Sequence, residues 1–144
     1  MPILNYTTTI SAQKTVGEIM GILVGHGAKS VLMDYDDDKH IKSLSFKIST
    51  PHGEIGIRLP VNPDAVLRVL EEQKVPGRYL NKTHAIKVAW RIVKTWVSAQ
   101  MAILETEMVR MEQIFLPYIL DDSGKTLYHV MVERNFLIGM GDKK

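Results

Sequence analysis

The chain contains no cysteine. That single absence excludes disulfides, thiolate zinc sites and cysteine nucleophiles, and it suits a reducing compartment, so a cytoplasmic location is expected. No apolar run approaches the roughly 20 residues that span a bilayer, so no membrane partner is expected. The start, residues 1–10, lacks the basic and then apolar order of a secretory signal. A third absence is more local. No Asp or Glu occurs between Glu72 and Glu105, which leaves Lys74, Arg78, Lys82, Lys87, Arg91 and Lys94 as an unbroken series of cations. The acids gather instead at Asp34, Asp36, Asp37 and Asp38, and at Asp121 and Asp122. With a formal net charge of only +2, the molecule is polarised rather than basic.

What is present describes one globular domain. An apolar content of 45% over 144 residues is enough to bury a core and excludes disorder for the bulk of the chain. Residues 3–10 alternate as a first strand, with Leu4, Tyr6, Thr8 and Ile10 on one face. Ser11 is a natural N-cap for a helix over 12–26, which Gly27 would end in a left-handed turn. Gly17, Gly21 and Gly25, four apart, predict a helix side approached closely by another backbone. Strands are expected over 30–35, 43–48 and 55–59, the last two forming a hairpin around Pro51-His52-Gly53. Asn62-Pro63 caps a helix to about Gln73. The longest helix is placed at 84–108 with Thr83 as its cap, followed by two shorter helical runs over 113–120 and 127–132. The fold class is therefore α+β, a small antiparallel sheet of three to four strands with helices packed on one face. The expected order is βαβββα, then a long helix and short C-terminal helices. One domain spans 1–138, with 139–144 as a loose tail.

Candidate chemistry is sparse. Asp122-Ser123-Gly124-Lys125-Thr126 ends like a phosphate loop, but Ile119 stands where the upstream glycine is needed, so a plain turn is expected. The aspartates at 34–38 lack the spaced ligands and distal glutamate of a calcium loop and are expected as a solvated hairpin turn. His26, His40, His52, His84 and His129 show no metal-ligand spacing. His52 with Glu54, joined by an aspartate of the 34–38 cluster, is the one acid-base set on which a small enzyme could be built. There is no Gly-x-Ser-x-Gly elbow. No metal or cofactor is expected, and the chain reads as non-enzymatic.

The long helix is the functional lead. At 100° per residue Lys87, Arg91 and Lys94 share one side, with His84 and Ser98 alongside. Ala85, Ala89, Ile92, Trp96, Ala99 and Ile103 are expected to face the core. Trp90 falls on the boundary, within reach of Lys87 and Lys94. A cationic stripe edged by an aromatic can neutralise phosphates and stack a base, so Arg78, Lys82, Lys87, Trp90, Arg91 and Lys94 are the expected nucleic-acid-binding residues. The competing reading is a solvated helix face with Trp90 packed under lysine stems. Met101, Met108 and Met111 are expected as core filling.

The segments Trp90-Arg91, Trp96-Val97-Ser98-Ala99-Gln100, Glu105, Phe115-Leu116-Pro117-Tyr118 and Thr126-Leu127-Tyr128 resemble uncharacterised proteins encoded by phages, prophages and other mobile elements. Tyr6-Thr7-Thr8-Thr9-Ile10 adds a weaker echo. The resemblance supplies no residue roles. It implies a phage setting in a host cytoplasm, in which a small protein binds nucleic acid. The alternative is an inhibitor or sponge of a host defence system, holding a protein or a cyclic nucleotide. A homodimer is the expected form of any self-association, through the glycine side of the first helix or the Met-rich segment.

Overall fold

The computed structural model describes residues 2–137. The expected tail at 139–144 lies outside the described residues. Helix α1 (Ala12–Gly25) leads into three strands, β1 (Ser30–Tyr35), β2 (Ile41–Thr50) and β3 (Gly53–Arg58). Helices α2 (Pro63–Glu72) and α3 (Lys82–Glu105) follow, then the short α4 (Met111–Ile114) and α5 (Leu127–Glu133). The strands form one antiparallel sheet in the order β1-β2-β3. The fold is α+β with a long helix, as the patterning predicts.

Alternation decides which side of the sheet is covered. Leu44, Phe46, Ile48 and Ile57 are buried against α1 and α3, whereas Lys47, Ser49, Glu54 and Arg58 point away to solvent. The main core joins these strand residues to Val16, Ile19 and Leu23 of α1 and to Ile86, Trp90, Val93, Val97 and Met101 of α3. Phe115 closes one end, with its ring edge-on to both Phe46 and Trp96. A second, smaller core lies between α2 and α3, where Leu70, Val75 and Ala85 are sealed by Ile3, Tyr6 and Tyr79.

Caps set the helix starts. Ser11 Oγ accepts from the Lys14 amide at 3.1 Å, and Asn62 Oδ1 accepts from Ala65 at 3.1 Å with Pro63 as the first helical residue. The expected αL glycine is also present, Gly27 having φ +105°.

Four expectations are corrected. Residues 3–10 form no strand: 4–7 make a turn with Asn5 at φ +65°, and Leu4 is 57% exposed. Their alternation has no neighbouring strand to pair with, because the segment crosses the end of α3 and covers the second core instead. The cap of α3 is Asn81, not Thr83, since Asn81 Oδ1 accepts from the His84 amide at 2.8 Å; the helix ends at Glu105 rather than Met108. Residues 113–120 are a short helix and a 3-10 turn at Leu116–Tyr118 with Pro117 inside it, not one helix. The glycine side of α1 meets no backbone, for a Cβ at Gly17, Gly21 or Gly25 would find nothing within 4 Å.

Candidate nucleic-acid interface

Helix α3 is rotated by about a quarter turn relative to the expected core face. Trp90, Val93, Val97 and Met101 point inwards, while Ala99 and Ile103 are exposed. Trp90 is therefore not a boundary residue: it is 0% exposed, and its indole N–H points at the Ile41 carbonyl at 3.4 Å. It has no access to a base, and the expected stacking role is removed. Of Met101, Met108 and Met111, all expected as core filling, Met101 and Met111 are buried, but Met108 is 72% exposed.

The rotation leaves Lys87, Arg91 and Lys94 together along the seam between α3 and α1. Arg91 Nη1 donates to Glu18 Oε1 at 2.8 Å and reaches the buried Thr15 hydroxyl at 3.4 Å. Lys94 Nζ lies 3.6 Å from the same Glu18 oxygen. The Arg91 hydrogen bond, followed by the fields of Lys94, Arg91 and Lys14, holds the Glu18 carboxyl below its ordinary range despite some desolvation. Lys14, one helical turn before Glu18, thus joins the group. Three cations from two helices, Lys14, Arg91 and Lys94, act on one carboxylate, and Lys87 stands one turn before Arg91 on α3.

The other two expected residues lie elsewhere. Lys82 donates to Asp64 of α2 at 2.6 Å, and Arg78 sits 4.7 Å over the Tyr79 ring in the connector between α2 and α3. Both are exposed and neither joins the Glu18 group, although the charge of Lys82 also acts on Asp36 in the β1–β2 connection.

At its Lys87 end the seam opens into a cleft of about 250 Å³. The first turn of α1 forms one wall, Thr83, Ile86 and Lys87 of α3 another, and Lys39, His40 and Ile41 of the β1–β2 connection the third. The positive end of the α1 macrodipole is directed here, and no acidic residue stands in that first turn. Lys14, Glu18, Lys39 and the cleft were not identified from the sequence. Lys14 and Glu18 show only a one-turn spacing, and nothing local connects them to residues more than seventy positions away.

The remaining motifs resolve into structure. Asp121 Oδ1 accepts from the Ser123 and Lys125 amides at 2.9 Å, and Lys125 pairs with Glu133 at 2.8 Å, so the Ser-Gly-Lys-Thr segment is a closed turn with an engaged lysine. Asp36, Asp38 and His40 bring ligand atoms within 4.8 Å of one another, but Asp36 Oδ1 already accepts the Asp38 and His40 amides that fold the hairpin. His52 and Glu54 lie at the opposite end of β2 from that cluster, roughly 30 Å away at the rise of a strand. The acid-base set does not assemble.

The class defined by this arrangement is a one-sided α+β sheet whose two covering helices meet along a cationic seam. Comparison of the chain with protein-family models, curated proteins and solved structures returns no match. Among the described residues no helix is long and apolar enough to cross a membrane.

Proposed function

We propose that the protein is a non-enzymatic binder of nucleic acid that contacts the phosphate backbone along the α1–α3 seam, in a phage or mobile-element setting. The observation supporting it is the grouping of Lys14, Arg91 and Lys94 around the single carboxylate of Glu18, with Lys87 at the mouth of the adjoining cleft. Lys39 extends the positive surface at the cleft. With Trp90 buried, recognition is electrostatic and independent of sequence, and Arg78 and Lys82 contribute only at its margin. The setting rests on the resemblance of the C-terminal half.

Fluorescence anisotropy with labelled single- and double-stranded oligonucleotides across a salt series tests this. Binding is expected at low salt and should fall steeply as salt rises. Joint Lys14→Glu, Lys87→Glu and Lys94→Glu substitution should abolish it. Removing one phosphate-neutralising cation at a time should flatten the log–log salt slope by about 0.9 per cation for duplex DNA. Glu18→Gln should do the opposite, tightening binding by releasing Arg91 and Lys94. Salt-independent binding, or no binding to any strand, overturns the reading.

The cleft favours a second reading, a nucleotide sponge. Its apolar floor and cationic mouth suit a phosphate with part of a sugar better than a long polymer. A panel of mono- and cyclic nucleotides in thermal-shift measurements distinguishes it, since a small ligand held there raises the melting temperature without any oligonucleotide.

A further inference from the structure

The two edges of the sheet are treated differently. On β3 the outer edge is engaged: the Leu120 amide donates to the Gly56 carbonyl at 2.8 Å, and Ile119 bridges to Ile57. On β1 no segment among the described residues pairs with the outer edge.

The hydrogen-bond phase shows which groups that edge presents. Leu59 N–H donates to the Leu44 carbonyl, so the even-numbered residues of β2 bond towards β3, and Ser43, Ser45 and Lys47 bond towards β1. Their partners on β1 are Asp34, Leu32 and Ser30. The backbone groups of Val31, Met33 and Tyr35 therefore point outwards, away from the sheet. Proteins blunt such an edge with lysine, proline or a covering loop. The span 30–35 has neither lysine nor proline, and it carries Leu32 at 60% exposure on the open face and Val31 and Met33 half-buried on the covered face.

We propose that β1 pairs antiparallel with β1 of a second copy, across a two-fold axis at Leu32, joining two three-stranded sheets into one six-stranded sheet. Side-chain complementarity selects this register. It places Leu32 against Leu32 on the open face and Val31 against Met33 on the covered face, where both become fully buried. Each Asp34 then lies opposite Ser30 of the second copy, never opposite another acid. A shift of two residues would set Leu32 against Asp34 in one direction and against Ser30 in the other, losing the apolar pair at the axis either way. The Val31–Met33 pairs exchange the outward N–H and C=O groups, and the central Leu32 pair is the closer, non-hydrogen-bonded kind, with Cα atoms about 4.5 Å apart.

Light scattering over a wide range of protein concentration should show a monomer giving way to a dimer. Leu32→Lys should hold the chain as a monomer with an unchanged circular dichroism spectrum, because Leu32 is exposed and stands outside the hydrophobic core of its own chain. Leu32→Glu alone should do the same, and mixing the two variants should restore a dimer through opposite charges at the axis. The chain has no cysteine of its own, so Leu32→Cys under mild oxidation should give a disulfide-linked dimer, while Ser49→Cys, exposed on β2, should not. A concentration-independent monomer overturns the proposal. So does a dimer indifferent to Leu32→Lys, or a cysteine variant that links no better at 32 than at 49. If Leu32→Lys lost its fold, the cysteine pair would still decide.

Discussion

Trp90 and His26 are the residues whose roles differ most from their appearance in the sequence. A tryptophan amid cations invites a stacking role, yet Trp90 fills the centre of the core. Trp90→Ala should therefore destabilise the protein by about 3–5 kcal/mol, read as a lowered midpoint in chemical denaturation. Its position was not legible because a helical wheel gives relative angles only, and packing on α1 and the sheet fixes the phase. His26 stood out in no way from the other four histidines. In the structure its Nδ1 bonds the Ile22 carbonyl at 2.9 Å and its Nε2 meets Glu105 at 3.2 Å, tying the end of α1 to the end of α3. The Ile22 carbonyl first, then Glu105, raise its pKa. The stability this tie contributes is complete below the unfolded value of about 6.5 and disappears as pH rises through the higher folded value. Carboxylates held low, such as Glu18, Asp64 and Asp121, contribute above their ordinary values and lose that contribution as pH falls through the lowered ones. Denaturation midpoints should thus peak between about pH 5 and 6.5, and Glu105→Gln should reduce the decline on the alkaline side.

Among the elements, legibility followed local chemistry. Ser11 and Asn62 announced their helices because a cap acts over three residues. The β2–β3 hairpin was visible because Leu44, Phe46 and Ile48 alternate with polar residues over the full strand. Residues 3–10 alternate as well, but a strand also needs a neighbour, which no local pattern supplies. The glycines of α1 misled in another way. Spaced four apart, they suggested a close approach, whereas open space surrounds all three. Gly21→Ala should accordingly stabilise the protein by about 0.5–1 kcal/mol, since only the helix-propensity gain remains. Thermal unfolding would show it, and a fall in melting temperature would mean that a second molecule packs there.

Across the whole molecule, composition and pattern disclosed the α+β class and the polarised charge, but not which charges meet. The seam depends on Arg91 finding Glu18, a packing outcome between elements distant in sequence. The second core depends similarly on the N-terminal segment, where Ile3 N–H donates to Gln73 Oε1 at 2.8 Å and the Tyr6 carbonyl meets His84 Nε2. Deleting residues 2–8 should expose Leu70, Val75 and Ala85. Amide exchange in α2 should then accelerate well before that in β2, which stays in the larger core.

The order β1-β2-β3 has a further, kinetic consequence. Every strand pairs with its neighbour in sequence, so the meander closes only short loops and can form early. Docking α1 on α3 closes a far longer loop and pays its entropy late. Substitutions along the seam should then speed unfolding and leave the refolding rate nearly unchanged, with those in the β2–β3 hairpin doing the reverse. The surface proposed to meet phosphate would thus be the last part of the protein to exist as it folds.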